Sequence, residues 1–244
     1  MNELKANPEK QKTIEIYWNG EKSTFDRLPL KTHIITNKDN LIEVVEKYAV
    51  PYLNNDDILF ITERIVACTQ NRAIPVNEIK PRLLAKILCK FVHKTPYGIG
   101  LGIPETMEMA LVECGTMNII VAALISVIGK IFGKRGWFYH IAGEKARAID
   151  GPCDNTIPPY NEYVVLAPND ADQVACNIAK SIGVDVIITD INDLGGNILG
   201  ASSSLLNKDM LISILKDNPL GQCDEQTPMG IIRKCENNKI KEHA

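Results

Sequence analysis

The sequence has no C-x-x-C pair. Its seven cysteines stand at 68, 89, 114, 153, 176, 223 and 235, an odd number at irregular spacing. That excludes a disulfide framework and the usual zinc spacing, and points to reduced thiols in the cytoplasm. Four histidines, His33, His93, His140 and His243, stand singly without metal spacing. No nucleophile elbow is present to begin a Ser/His/Asp reading, so no histidine is assigned a catalytic role. There is no basic stripe either: Lys and Arg are scattered and the net charge is -3, which argues against nucleic acid as the main ligand. The opening residues, MNELKANPEKQK, lack the apolar core of a secretory signal and read as a frayed terminus. Finally, no uninterrupted apolar run reaches the roughly 20 residues a membrane span needs. Asn118, Ser126, Gly129 and Lys130 break the best candidate, Thr116 to Phe132. It reads as a buried core helix ahead of a membrane or partner-binding one, with Gly133 and the basic residues of KIFGKRG at its C-terminal end. The expectation is a cytoplasmic protein with no membrane partner.

What the chain does have is size and alternation. At 244 residues and 45% hydrophobic composition, it can bury one large core or two modest lobes without metals or disulfides. No repeat or low-complexity linker divides it. TIEIYWNG predicts a strand, and LPLKTHII a strand or turn. NKDNLIEVVEKYAV predicts a helix behind the cap Asn37, and DDILFITERIVACTQ a strand. PRLLAKILCKFV predicts a helix opening on Pro81. The second half repeats the pattern, with strands at WFYHIAG and EYVVLAP, a helix over DADQVACNIAKSIG stopped by Gly183, and the apolar strand VDVIITD. This predicts an α/β (α+β) fold with a mixed sheet covered by helices.

Three places carry candidate chemistry. VDVIITDINDLGGN delivers Asp190 to the C-terminal end of a strand before a Gly-rich turn, where α/β proteins hold ligands; a turn-forming aspartate is the competing reading. In RAIDGPCDNTIPPYN, an apolar pair runs into Asp150 and Gly151. Two strand-end carboxylates that converge would suit magnesium or manganese, hard cations that take oxygen ligands. PLGQCDEQTPMGIIR packs Gly221, Gln222, Asp224, Glu225, Gln226 and Thr227 into a short loop before the strand-like MGIIR. Backbone amides there can cradle phosphate if a metal offsets the acids. HKTPYGIGLGIPE, with Gly98, Gly100 and Gly102, matches no phosphate-loop pattern and reads as a mobile loop.

In order along the chain, these pieces resemble the coenzyme F(420)-0 gamma-glutamyl ligase family. RLPLKTHIITNKDNLIEVVEKY is similar to its Leu-Pro loop and helix, and DDILFITERIVACTQNR to its first strand and turn. AID, VIITD and GQCDEQTP are similar to its later Asp segment, Ile-Thr-Asp strand and Gly-acidic loop. The resemblance covers roughly residues 25 to 233. It implies residues 1–24 as an N-terminal extension with the first strand, and 25–244 as one ligase-like α/β domain with room for two intertwined lobes. It implies GTP as cosubstrate, magnesium or manganese as cofactor, a small carboxylate and an amino acid such as glutamate as substrates, and a homodimer to which residues 116–132 would contribute. By resemblance, Asp150, Asp190 and Gln222 are the metal residues. Leu28, Pro29, Leu30, Lys31, Glu63 and Arg64 border the nucleotide, as do Gly221, Gln222, Cys223, Asp224, Glu225, Gln226, Thr227 and Pro228.

The chain also departs from that pattern. Cys68 stands where the family has a lysine, Ile191 where it has a threonine, and Gln222 where an acid is expected. The loop after Asp150 is longer, leaving Asn155 as the candidate for an expected asparagine, and Arg64 is the cation that would replace the lost lysine from a neighbouring strand position. The alternative these losses favour is a noncatalytic relative that binds a phosphorylated metabolite or nucleotide.

Overall fold

The computed structural model describes residues 12–92, 99–133, 136–192, 195–221 and 225–235. In chain order the elements are β1 (Lys12–Trp18), β2 (Glu21–Leu30), α1 (Leu41–Tyr48), β3 (Ile58–Thr62), α2 (Glu63–Thr69), β4 (Ala73–Pro75), α3 (Leu83–Leu88), α4 (Pro104–Glu113), α5 (Thr116–Ile131), α6 (Trp137–Ala142), α7 (Glu144–Arg147), β5 (Tyr163–Val165), α8 (Ala171–Ile182), β6 (Asp185–Asn192), β7 (Gly195–Ala201), α9 (Lys208–Leu215) and β8 (Met229–Lys234). They form two compact units: residues 1–70 with 168–244, and the insertion 71–167. Residue 24, where the sequence reading ended the extension, lies inside β2.

The first unit is a six-stranded mixed sheet in the order β1-β2-β8-β3-β6-β7, with β3 and β6 parallel and the other neighbours antiparallel. Side chains alternate across a strand, so Leu59, Ile61, Val186, Ile188, Met229 and Ile231 face the helices α1 and α8. Phe60, Ile187 and Ile232 face α9. A sheet covered on both faces needs apolar residues at consecutive positions, which explains the unbroken runs ILFI and VIIT. Caps set the helix starts: Asn40 Oδ1 accepts from Ile42 N at 2.9 Å, and Asn207 Oδ1 from Met210 N at 3.0 Å. The cap of α1 is therefore Asn40 and not Asn37. Gly183 ends α8 in the left-handed region, as its position predicts.

The second unit pairs β4 with β5 and packs helices α3 to α7 around Leu101, Met107, Leu111, Ile119 and Val164. Two segments differ from their predicted form. WFYHIAG is the helix α6 and not a strand. Its Trp137 ring fills the notch at Gly129 of α5, where a Cβ would stand 3.1 Å from Trp137 Cδ2, so tertiary packing overrides aromatic β-propensity. In the first unit, ERIVACT is the helix α2. β3 stops at Thr62, where its pairing with β6 ends, and the branched run Ile65 to Cys68 is buried as a helix.

Helix α5 is only partly the buried core helix the sequence predicts: Ile119 and Ala122 are inside, while Met117, Leu124 and Val127 are exposed. Gly133 follows it with positive φ, as expected of a helix end. Among the described residues, no single helix is long and apolar enough to cross a membrane. The frayed-terminus reading of residues 1–11, and Gly98, Lys134, Arg135, His93 and His243, lie outside the described residues.

Candidate functional site

One end of the large sheet gathers most of the first unit's candidates. Leu30 of β2 pairs with Met229, the first residue of β8. Met229 pairs with Ile61 of β3, and Thr62 pairs with Thr189 of β6. The C-terminal ends of β2 and β3, the start of β8 and the Thr189–Asp190 step of β6 therefore form one row. Lys31, Glu63 and Asp190 each follow by one position a paired residue of that row, Leu30, Thr62 and Thr189.

The loop before β8 is stitched to the same row. Thr32 N donates to Gln226 O at 3.0 Å and Thr62 N to Pro228 O at 2.9 Å. Thr227 is buried, and its hydroxyl closes the loop by donating to Leu220 O at 2.6 Å. Gly221 has φ +82, a conformation that favours glycine, and the Glu225 carboxylate folds back over it. The structure thus brings together Leu28–Lys31, Glu63, Asp190, Gly221 and Glu225–Pro228. Gln222, Cys223 and Asp224 lie outside the described residues.

Asp190 does not sit at a strand end. β6 continues to Asn192, and Asp190 pairs with Asn197 of β7, so the expected Gly-rich turn is partly strand, with Gly195 and Gly196 inside β7. A Cβ on Gly196 would overlap Ile191 Cδ1, so glycine leaves the partner strand room for that side chain. The register slips between Ile188 and Thr189, one residue before Asp190. Such a bulge bends the strand and re-aims the side chains beside it. Thr189 is buried and its hydroxyl donates to Ile61 O at 3.3 Å, while Asp190 on the opposite face is half-buried.

Arg64 is the second residue of α2 and not a strand residue; it and Glu63 are half-buried, with Glu63 Oε2 shielded from solvent. Cys68, in the same helix, is 2% exposed and packed inside. Asp150 belongs to the second unit. Its N–H donates to Val165 O and its C=O accepts from Val165 N, both at 2.9 Å, which extends the β4–β5 pair by one bridge. Gly151 follows against Thr106 of α4, and Asn155 is exposed in the next turn.

Sequence reasoning missed a clasp on the β2–α1 loop. His33 Nδ1 lies 2.8 Å from Tyr48 Oη and Nε2 lies 3.0 Å from Asp39 Oδ1, while Asp39 Oδ2 accepts from Thr36 N at 2.7 Å and Thr36 Oγ1 at 2.9 Å. Both ring nitrogens are engaged, so His33 holds the loop that follows Lys31. The pattern T-x-x-D was the available signal. Burial alone would raise the Asp39 carboxyl, but the bonds from His33 and Thr36 outweigh it and hold the group below its ordinary value. A depressed carboxyl stabilises the fold above its unfolded pKa, and that contribution disappears as pH falls through the folded one. Asp39→Asn is therefore expected to melt below wild type at neutral pH, with the gap closing in acid. A gap unchanged between about pH 7 and pH 3 would contradict this account.

The donors at the sheet end are oxygens, the kind that hard cations take. Among the described residues, no group of three or more His, Cys, Asp or Glu is placed to hold a metal ion. A family model described as F420-0:Gamma-glutamyl ligase matches residues 29–195. The match runs from the end of β2 through the whole second unit to the first residue of β7, and stops short of the loop before β8. No curated protein matches the chain.

Proposed function

Because the chain belongs to the F420-0:Gamma-glutamyl ligase family, we propose that it joins an amino acid such as glutamate to a small carboxylate substrate through an amide bond, using GTP and a divalent metal. Membership supports a ligase-like function; the nucleotide, the metal and the substrates are this proposal. The observation that carries it is the row at the sheet end, where Lys31, Glu63, Asp190 and residues Gln226 and Pro228 are strung on hydrogen-bonded neighbours.

The chemistry follows from the reaction. A carboxylate is a poor electrophile, so it takes the terminal phosphoryl group of GTP, releasing GDP and leaving an acyl phosphate. The amine then attacks the carbonyl carbon, phosphate departs with the C–O bond electrons, and the amine loses a proton. Magnesium or manganese, when bound, offsets phosphate charge and aligns the attacking and leaving oxygens. By resemblance Asp190 and Gln222 would serve it from the first unit; Asp150, the other residue the resemblance assigns, lies in the second unit. Lys31, which is exposed, and Arg64, in the first turn of α2, are the cations offered to phosphate. The β8 loop offers backbone amides.

A second reading, a relative that binds a phosphorylated ligand without ligase chemistry, is favoured by Cys68. At 2% exposure inside α2 it supplies no charge to a phosphate. Calorimetric titration of GTP and ATP, with and without manganese or magnesium, tests the ligase reading. Metal-dependent binding that weakens about tenfold or more in Asp190→Asn is expected. No nucleotide binding with any metal would sink the proposal. Binding without amide formation from any carboxylate and amine tried would favour the second reading.

A further inference from the structure

Ile191 packs with the apolar cluster around α9, and Gly196, its partner on β7, leaves room for its side chain. The Thr189–Ile198 pair shares that face, with Ile198 buried in the same cluster. Alternation puts Asp190 on the opposite face, whose earlier positions, Val186 and Ile188, pack with α1 and α8. Position 191 therefore brings no ligand atom to the carboxylate beside it. Past Ile188 the α1 and α8 face leaves the apolar core and becomes polar: Asp190 is half-buried, and Asn192 and Asn197 are exposed.

Asn197 is the residue directly across from Asp190. Antiparallel partners share a face and hold their Cβ atoms roughly 4.5–5.5 Å apart, so an amide and a carboxylate at such a pair can reach one cation. Asn192 stands on the same face, but opposite Gly195, which brings no side chain. β7 is the last strand in the sheet order, and Asn197 is open to solvent on it. The register slip between Ile188 and Thr189 bends the ribbon just before this pair.

We propose that Asn197 is a further residue of the divalent-metal site, its amide oxygen joining Asp190 in holding magnesium or manganese. This rests on the reading in which Asp190 serves the metal. Hard cations accept carbonyl oxygens as well as carboxylates. A second carboxylate at this pair would repel the phosphates with which the cation is shared, whereas a neutral oxygen adds a ligand without adding negative charge. Among the described residues no three His, Cys, Asp or Glu are placed to hold a metal ion. A carboxylate and an amide, completed by phosphate oxygens and water, need no third acid.

The test is manganese binding, read from the loss of the free-ion electron paramagnetic resonance signal on titration into the full chain, with and without GTP. Wild type is expected to bind. Asn197→Leu keeps the size of the side chain and removes its oxygen, and is expected to weaken manganese binding about tenfold or more. Asn197→Asp restores an oxygen and is expected to bind manganese alone at least as tightly as wild type. Equal affinity in wild type and Asn197→Leu overturns this proposal, and leaves the nucleotide reading standing where Asp190→Asn still weakens binding. Equal losses in Asn197→Leu and Asn197→Asp also overturn it, since the side chain would then serve the hairpin and not the ion. No manganese binding by wild type, with or without GTP, overturns both readings.

Discussion

Gly200→Ala is expected to destabilise the first unit by about 3 kcal/mol, the upper end of the usual cost of overpacking. Gly200 lies in β7 opposite Ile188 of β6, under the first turn of α8. A Cβ there would overlap the carbonyl of Ala171 and stand 2.6 Å from Asp172 N. These are backbone atoms, so no rotamer change relieves the clash; α8 or β7 must move. The approach is held from the other side as well, since Ala201 N donates to Asp172 Oδ1 at 2.8 Å. Moving β7 disturbs the ladder in which Asp190 pairs with Asn197, so the substitution also reaches the candidate site. Gly20→Ala is the control: φ is +84 but nothing lies within 4 Å, so only backbone strain of about 1 kcal/mol is expected. Urea unfolding followed through Trp18 of β1, in a Trp137→Phe background, reads the first unit. Equal losses from the two alanines would refute the packing argument.

Part of what depended on short-range pattern was legible in the sequence, though the cap of α1, Asn40 in place of Asn37, and the Thr36–Asp39 clasp were not. The runs around Ile58–Ile61 and Val186–Thr189 read as strands, and Gly183 marked the end of α8. Segments decided by distant partners were not. Trp137 becomes helical because Gly129 of α5 receives its ring, and Glu63–Thr69 turns into a helix because the pairing of β3 runs out at Thr62. At the site, the order of the motifs gave a family resemblance over nearly the whole chain. It could not give the stitching of Thr32 to Gln226 and Thr62 to Pro228, since each bond joins residues more than 160 positions apart. Nor could it show that β6 runs on past Asp190, because glycines at 195 and 196 resemble a turn until the partner strand is seen. Nothing in the spacing of Asp150 and Asp190 announced that they belong to different compact units.

Asp217→Ala is expected to cost about 3 kcal/mol, and to cost more than Arg27→Met. Arg27 is 1% exposed, its Nε donating to Lys12 O at 3.0 Å, its Nη1 to Ile214 O at 2.9 Å, and its guanidinium engaging both oxygens of Asp217. Removing the carboxylate leaves a buried charge with only two carbonyls for company. Removing the arginine leaves a carboxylate that is 38% exposed and can rehydrate, while methionine keeps much of the packing. That exposure also holds the figure for Asp217→Ala at the low end of the range for broken buried pairs. The pH dependence has a definite sign. Burial pushes the Asp217 carboxyl up, but the hydrogen bond and charge of Arg27 outweigh it and hold the group below its ordinary value. The pair therefore stabilises the fold above the unfolded pKa, and its contribution is lost as pH falls through the depressed folded one. Urea midpoints of wild type and Asp217→Ala should stand far apart at neutral pH and converge in acid. If Arg27→Met proved the worse variant, the buried guanidinium would be serving as packing for β2 and α9. The pair would then not be what holds β2 in place where it leads to Lys31.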